Sequence, residues 1–317
     1  MTLNRQILLL GLSTAGFLVD ALSLQDKQQR QEWAAFASQE LIPAARSAIL
    51  PYYRQPQDMG TEIKVDDEGD RSDAQTHSPV TLADRAAEAA MRTLIQERYP
   101  SHGIIGEEYG SKEPTASDVC WVLDPIDGTK SFITGQPLFG TLIGICYQGV
   151  PVVGVIDTPV LKEQWIGILD DEDDDNMGGC SGGVTTLNGD VVHSRGVAQL
   201  SESIMYSTTP HMFRRGFETE RFETVRDACQ MTLYGTDCYG YGLVASGFGA
   251  HLVVEADLGV YDYAALVPVM KGAGGFMTDW NGKDLTIQGF QECRGRVVAA
   301  ANAILHREAL KLLCDEG

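Results

Sequence analysis

Apolar residues recur at helical spacing in two stretches near the start of the chain. From Gln25 to about Tyr53, polar and apolar positions alternate with the period of a helix, which predicts an opening helix with one buried face. A stronger pattern predicts a second helix over residues 83–95, where apolar residues fall at i, i+3, i+4, i+7 and i+8. The buried stripe of the opening helix would consist of Trp33, Phe36, Leu41, Ala45 and Ile49.

Short continuous apolar runs predict buried strands farther along the chain. The run Val119–Leu123 has no polar face, and Pro125 and Gly128 are expected to break the regular structure after it. Two apolar runs joined at Gln148-Gly149 predict a hairpin, and the segment QWIGIL predicts a further strand. The last strand leads into a C-terminal helix that Asn302 should cap.

The order of these elements predicts an α/β protein with two lobes. Residues 25–190 would form an N-terminal α+β lobe that carries the metal site, and residues 191–317 a C-terminal α/β lobe in which strands and helices alternate. The polar segment between Lys64 and Ser78 and the acidic segment that begins at Asp170 are predicted to be surface insertions.

The first 24 residues differ from the rest of the chain. Arg5 precedes ILLLGLSTAGFLV, an apolar run of 13 residues, and the run is followed by ALS, which resembles a small-residue cleavage site. The run is too short to span a membrane. Residues 1–24 are therefore predicted to be a removable targeting signal, leading to a plastid or another organelle. Without such processing the protein would be cytoplasmic.

Charge and cysteine content narrow the possible partners. The formal net charge of −20 disfavours nucleic acid and anionic membranes as partners, and it would also repel an anionic substrate unless bound cations reverse the local field. The seven cysteines form no CxxC pair and have no regular spacing, which favours free thiols over a disulfide framework or a zinc site.

Acidic residues cluster at the ends of the predicted strands and helices. Each has a purely structural explanation: Thr81 and Asp84 fit a helix capping box, the paired glutamates fit a solvated turn, and Asp262 could cap the helix after it. An isolated DxxD pair is usually a turn in which the aspartates bond their own backbone. The acidic residues in question are Asp84, Glu107, Glu108, Asp124, Asp127 and Asp262.

Taken together, the acidic clusters favour metal-assisted chemistry. Carboxylates and a free backbone carbonyl are the hard oxygen ligands that Mg²⁺ prefers, and loops from several elements can surround one cation. Gly128 and Thr129 follow the DPID segment, where backbone N–H groups at a helix start could bind a phosphate. This combination points to transfer of a phosphoryl group to water.

Three motifs carry a resemblance to a known family. GEE, WVLDPIDGT and YDYAALVPVMKGAGG, in this order and separation, resemble the inositol monophosphatase superfamily of magnesium-dependent, lithium-sensitive phosphatases over roughly residues 30 to 315. DPIDGTKSFITGQPLFGTLIG, STTPHMF and YGTDCYGYGLVASG are most similar to the plant-type histidinol-phosphate phosphatases. The long insertion after Lys64 departs from the family pattern and leaves open whether Lys64 is the family's loop lysine.

The resemblance implies a fold, a metal site and a mechanism. The fold would be the layered α-β-α-β-α sandwich of the inositol monophosphatase and fructose-1,6-bisphosphatase type, in a homodimer. Two to three Mg²⁺ ions would be bound per site, with Asp84 and Thr129 activating the attacking water and Glu107 also helping a looser third ion. The implied metal ligands are Glu107, Asp124, the Ile126 carbonyl, Asp127 and Asp262.

The substrate follows less directly from the motifs. Gly128 and Thr129 would bind the phosphate, while Glu255 matches the family position that contacts the leaving group, and Asp237 is a second acid expected there. Carboxylates at these positions favour a cationic leaving group such as histidinol. The alternatives are an inositol monophosphatase, a 3′(2′),5′-bisphosphate nucleotidase, or a magnesium-binding regulatory protein without turnover.

Overall fold

The structure is a computed structural model that describes residues 26–55, 60–64, 78–170 and 182–314. Helix α1 covers residues 26–36 and continues through a π-helical turn, Ala37–Leu41, into α2, Ile42–Ile49. The predicted stripe from Trp33 to Ile49 is buried, which confirms the helical pattern. Phe36 and Leu41 are five residues apart along the chain. Both face the core, because the π turn between them is wider than an α-helical turn.

A large mixed sheet follows the second helix, α3 (Leu82–Arg98). Its eight strands lie in the order β10-β9-β8-β7-β6-β5-β3-β4, and only the β3–β5 pair is parallel. A separate two-stranded ladder joins β1 (Glu62–Lys64) to β2 (Ser78–Val80). The strands of the large sheet are β3 Gly103–Gly106, β4 Gly110–Lys112, β5 Val119–Asp127, β6 Gly140–Tyr147, β7 Val150–Thr158, β8 Glu163–Leu169, β9 Gly183–Leu187 and β10 Asp190–Val192.

The predicted hairpin is confirmed between β6 and β7. Gln148 and Gly149 both have positive φ angles, 51° and 83°, as a two-residue turn of the I′ type requires. The QWIGIL segment forms β8, as predicted.

Strand β5 is longer than predicted, because Pro125 does not end it. The pairing with β6 shifts register between Asp124 and Asp127, so Pro125 lies in an irregularity where no ladder N–H is required. The Pro125 carbonyl accepts a hydrogen bond of 2.9 Å from Thr141 Oγ1. The DPID segment is therefore part of strand β5 and does not form a loose turn.

A second sheet of five strands has the order β12-β11-β13-β15-β14. Strand β15 is antiparallel to both of its neighbours, whereas β11 is parallel to β12 and β13. Asn302 Oδ1 accepts from Leu305 N at 2.9 Å, which confirms the predicted cap. The elements are α4 Thr129–Ile133, β11 Ile204–Ser207, α5 Phe217–Ala228, β12 Met231–Tyr234, α6 Cys238–Ala245, β13 Leu252–Glu255, α7 Val260–Tyr263, α8 Leu266–Gly272, β14 Phe276–Asp279, α9 Phe290–Cys293, β15 Val297–Ala300 and α10 Ala303–Leu313.

Three apolar cores bind these elements into five layers. The first lies between α1–α3 and the large sheet, the second between that sheet and α6–α8, and the third between the small sheet and α5 with α10. Gly154 and Gly167 allow the close approach of α8, since a Cβ atom would lie 2.0 Å from the Ala265 carbonyl oxygen and 2.4 Å from the Pro268 carbonyl. The α-β-α-β-α layering expected from the resemblance is confirmed.

Several predictions fall outside the described residues. These are the targeting signal at residues 1–24 and most of the two insertions, at 65–77 and 171–181. The division at residue 190 stays a prediction, although the large sheet ends with β10 and the second sheet begins with β11. Within the described ranges, no helix has the length and apolar character needed to cross a membrane. Six of the seven cysteines are described, and no disulfide joins any two of these six.

Candidate active site

Three carboxylates meet at the end of the large sheet. Asp124 and Asp127 come from the irregular end of β5, and Asp262 comes from α7, which packs against that strand. One oxygen atom from each lies within 4.8 Å of the others. The register shift of β5 allows both aspartates to share this space, although they are only three residues apart.

Asp124 lies at the centre of the cluster. It is 2% exposed, and its Oδ1 atom has no hydrogen-bond partner among the described residues. Its pKa is raised well above the ordinary value, first because burial disfavours the charge and then because Glu107, Asp127, Asp262 and Asp84 repel it. Glu107 therefore belongs to the same group of charges.

Helix starts hold the other two aspartates. Asp127 Oδ2 accepts a bond of 2.6 Å from the first N–H of α6, at Cys238, yet burial and the charge of Asp237 still raise its pKa. Asp262 Oδ2 accepts from Gly259 N at 2.6 Å, and burial followed by repulsion from Glu107 raises its pKa to about 8. The predicted cap is therefore corrected: Asp262 does not cap the helix after it but lies in the first turn of α7 and bonds back to Gly259, while Ala265 precedes α8.

Asp84 combines two roles in the same way. Its Oδ2 atom accepts from Thr81 N at 2.8 Å and from Thr81 Oγ1 at 2.5 Å, which is the predicted capping box of α3. Its Oδ1 atom is buried without a partner among the described side chains and backbone. Burial is the main cause that raises the pKa of Asp84 to about 6, and Glu107 adds to it. The cap uses one oxygen and leaves the other available.

The segment after Asp127 turns sharply into α4. Gly128 adopts the left-handed conformation with φ 85°, which favours glycine, and a Cβ atom there would lie 3.0 Å from Asp237 Oδ2. Thr129 Oγ1 donates to the Ile126 carbonyl oxygen at 3.0 Å. That carbonyl has a second lone pair, which can still bind a cation, as expected of the Ile126 carbonyl.

Asp237 and Glu255 are joined through Thr208. Glu255 is 2% exposed, and its Oε1 atom accepts from Thr208 N at 2.8 Å and Thr208 Oγ1 at 2.7 Å, while Oε2 accepts from Tyr241 Oη at 2.8 Å. Burial raises the pKa of Glu255 to about 7. Burial likewise raises the pKa of Asp237 to about 6, although the nearby hydroxyl groups of Thr208 and Ser131 oppose the shift.

The backbone of Asp237 is also unusual. Its φ of 45° and ψ of −138° lie in a region that side chains rarely adopt, and such conformations cluster at functional sites. The conformation directs the carboxylate towards Gly128 while the next residue, Cys238, donates to Asp127.

Sequence reasoning missed the residues that hold these acids in place. Thr208, Tyr241 and Cys238 bind them, and Glu88 on α3 binds the backbone of the GEE turn. Only Glu88 had a visible signal, because a carboxylate four residues after Asp84 continues the buried side of α3 among apolar residues. The others depend on long-range packing that a single sequence does not show.

The donor set fits Mg²⁺ or a similar hard cation. All the converging groups are oxygen atoms, and two of them, Asp84 Oδ1 and Asp124 Oδ1, are buried without a hydrogen-bond partner among the described residues. The mutual repulsion that raises the pKa values is the kind that a bound cation would cancel.

The raised pKa values predict an inverse dependence of stability on pH in the metal-free protein. The folded state holds protons on Asp84 (about 6), Glu255 (about 7) and Asp262 (about 8) more tightly than the unfolded chain, so stability is greatest at low pH and is lost as the pH rises through these values. Because one pKa unit corresponds to about 1.4 kcal/mol, we expect the melting temperature in EDTA to be higher at about pH 5.5 than at about pH 8.5, by on the order of 5 °C.

Two controls accompany this melting experiment. Saturating Mg²⁺ should remove most of the difference, and Asp127→Asn should raise the melting temperature in EDTA at the higher pH, since it removes one repelling charge. A metal-free protein that is most stable at the higher pH would contradict the charge arrangement described above.

Comparison with known proteins agrees with this geometry. The model of the inositol monophosphatase family matches residues 29–317. Over 278 residues the chain is 44% identical to the chloroplastic bifunctional phosphatase IMPL2 of Arabidopsis thaliana, covering 86% of this chain and 72% of that protein. It is 33% identical over 241 residues to the histidinol-phosphatase of Mycobacterium tuberculosis, covering 74% of this chain and 85% of that protein.

A solved structure of similar architecture is that of an inositol monophosphatase from Zymomonas mobilis. It has a TM-score of 0.71 and 35% sequence identity, and the match covers 89% of this chain and 98% of that one. The family resemblance indicated by the motifs is therefore confirmed. The chain belongs to the inositol monophosphatase family, whose members are metal-dependent phosphatases that act on phosphate monoesters.

Proposed function

We propose that the protein is a magnesium-dependent histidinol-phosphate phosphatase, which converts L-histidinol phosphate and water to L-histidinol and phosphate in histidine biosynthesis. The main support for this substrate is a pair of acids next to Thr208, Glu255, which is buried, and Asp237, which is partly buried. Relatives named histidinol-phosphatase, from Mycobacterium tuberculosis and Streptomyces coelicolor, support the same substrate.

The metal would be held by the acidic cluster. Glu107, Asp124, Asp127, Asp262 and the Ile126 carbonyl would supply the ligands, for two to three ions in all. When bound, Mg²⁺ neutralises the carboxylates, binds phosphate oxygens and lowers the pKa of a coordinated water.

The protein's own groups would orient the reacting water and the phosphate. Asp84 has one oxygen fixed by Thr81 and the other unpartnered among the described residues, so it can accept a proton from a water molecule without losing the helix cap. Thr129 would help to orient that water, and the backbone of Gly128 and Thr129 would bind phosphate. The water oxygen forms the new bond to phosphorus as the bond to the leaving oxygen breaks, and the leaving oxygen takes up a proton from solvent to depart as the alcohol.

The leaving group would meet Asp237 and Glu255. Histidinol carries an ammonium and an imidazole that can also be cationic, and both would be attracted by these two carboxylates. Both acceptor positions of Glu255 Oε1 are taken by Thr208, whereas Oε2 has one partner, Tyr241, and can accept another donor. Asp237 is only partly buried and offers a second acceptor.

Cellular location is part of the same proposal. The relative from Arabidopsis thaliana is described as chloroplastic, and the apolar segment within residues 1–24 fits a targeting signal. We therefore infer import into a plastid, with a homodimer as the assembly that the family resemblance implies.

Asp84→Asn tests the role of Asp84 in water activation. The amide oxygen can still accept from Thr81, so the cap should survive and the free energy of unfolding should change by less than about 1 kcal/mol. Loss of the base should lower kcat by about 10²–10⁴-fold. Asp118→Asn serves as the control, because Asp118 contacts Gln148 outside the acidic cluster. A near-normal kcat in Asp84→Asn would leave Asp84 with its capping role alone.

Glu255→Gln tests the choice of substrate. A charge-assisted hydrogen bond is worth roughly 1.5–3 kcal/mol, so the variant should lose about 10–100-fold in kcat/KM for histidinol phosphate. Hydrolysis of p-nitrophenyl phosphate, which has no ammonium group, should change far less. Asp279→Asn is the matched control, since Asp279 is another buried acid of the same sheet.

The wild-type protein should be assayed beside the variants on a panel of substrates with Mg²⁺. Preferred turnover of histidinol phosphate over inositol monophosphate and adenosine 3′,5′-bisphosphate would support the proposal. Preference for either of the other two would assign the chain to the corresponding alternative. Equal losses on both esters in Glu255→Gln would place Glu255 in support of the metal site.

A further inference from the structure

Glu88 is a buried carboxylate that binds the backbone directly after Glu107. It lies on α3, is 0% exposed, and its Oε2 atom accepts from Glu108 N at 2.7 Å. Its Oε1 atom accepts from Tyr109 N at 3.2 Å. Two consecutive backbone N–H groups that converge on one anion define the conformation of the turn between β3 and β4.

Arg92 completes this arrangement on the next turn of α3. Its Nε atom lies 2.7 Å from Glu88 Oε1, which balances the buried charge, and its Nη2 atom donates to the Gly110 carbonyl. Glu88 and Arg92 together therefore bind both sides of the turn that carries Glu107. We call this pair the turn clamp.

Gly106 shows how closely the turn clamp is packed. A Cβ atom at this position would lie 2.0 Å from Glu88 Oε1 and 2.7 Å from Arg92 Nη2. The absence of a side chain at Gly106 thus allows the Glu88 carboxylate to reach the N–H groups beyond Glu107.

We propose that Glu88 is a positioning residue for divalent-cation binding, which acts through Glu107. The turn clamp fixes the backbone on the C-terminal side of Glu107 while Glu107 N donates to the Leu123 carbonyl at 3.2 Å. Because Gly106 pairs with Leu123 in the sheet, this fixes Glu107 next to Asp124, and the charge of Glu107 acts on both Asp124 and Asp262. This inference rests on the proposed function in taking Glu107 as a metal ligand.

Glu88→Gln is the variant that tests the turn clamp. An amide of the same shape would direct an N–H₂ group at one of two backbone N–H donors, so the turn should lose one of its bonds and shift. Partners that orient metal ligands typically account for about 10–100-fold in metal affinity, and we expect a loss of that size for Mg²⁺. The kcat at saturating Mg²⁺ should stay within about threefold of the wild-type value, because the ligands themselves are unchanged.

The primary readout is the rise in melting temperature as Mg²⁺ is added to the metal-free protein, and it does not depend on turnover. Glu97→Gln is the matched control, because Glu97 is an exposed glutamate on the same helix. The midpoint of the Mg²⁺ titration should move to higher concentration in Glu88→Gln and stay in place in Glu97→Gln. A lower melting temperature in EDTA with an unchanged Mg²⁺ midpoint would show a merely structural role and overturn the inference.

Gly106→Ala gives a second test from the opposite side of the contact. The added methyl group would displace the Glu88 carboxylate, so the Mg²⁺ midpoint should rise as it does in Glu88→Gln. In the Glu88→Ala background the carboxylate is gone and Arg92, the far end of a flexible side chain without its ion pair, can move aside, so Gly106→Ala should cause little further loss. Additive losses in the double variant would contradict the turn clamp.

The outcome for the wild-type protein separates this inference from the proposed function. If Mg²⁺ raises its melting temperature but Glu88→Gln behaves like Glu97→Gln, only the role of Glu88 is overturned. If Mg²⁺ has no effect on the melting temperature of the wild-type protein, both the metal site and the role of Glu88 are overturned. The identity of the phosphate ester does not affect either result.

Discussion

Electrostatic repulsion among buried carboxylates is the constraint on which the rest of the structure depends. Burial and four neighbouring acids raise the pKa of Asp124, although a surface aspartate would ionise freely. Such an arrangement costs stability in the folded chain, and the large apolar cores on both sides of the sheet offset that cost. A cation bound at the cluster would be attracted by all of these carboxylates and would cancel their mutual repulsion.

The N-terminal ends of three helices hold these acids in position. Asp84 accepts a backbone hydrogen bond within a capping box, Asp262 accepts one from Gly259 N at the start of α7, and Asp127 accepts the first N–H of α6. Each helix start therefore fixes one carboxylate oxygen and leaves the second available to the site. Structural and functional explanations of these residues are compatible, because a carboxylate has two oxygen atoms.

Much of this architecture could be predicted from the sequence because its signals are local. The helical stripe that ends at Ile49, the Gln148-Gly149 turn and the Asn302 cap depend on neighbouring residues and were predicted correctly. Strand β5 was predicted too short, because a proline is tolerated at a register shift that only pairing with β6 reveals.

Only the site residues that lie in sequence motifs could be proposed from the sequence. Asp124, Asp127 and Asp262, from two of the three motifs, converge, and Glu107 of the third motif acts on Asp124 and Asp262 through its charge. The bond from Thr208 to Glu255 spans 47 residues, and the bond from Cys238 to Asp127 spans 111. Such partners are set by the packing of the two sheets, and nothing in the spacing of a single sequence indicates them.

The most direct measurement of the central claim is the number of protons released when Mg²⁺ binds. It can be obtained by titration calorimetry of the metal-free protein in buffers with different ionisation enthalpies. Because the pKa of Asp262 is raised to about 8 and that of Asp84 to about 6, binding at about pH 6 should release more protons than binding at about pH 9. Mg²⁺ binding without proton release at either pH, or no binding at all, would contradict the account.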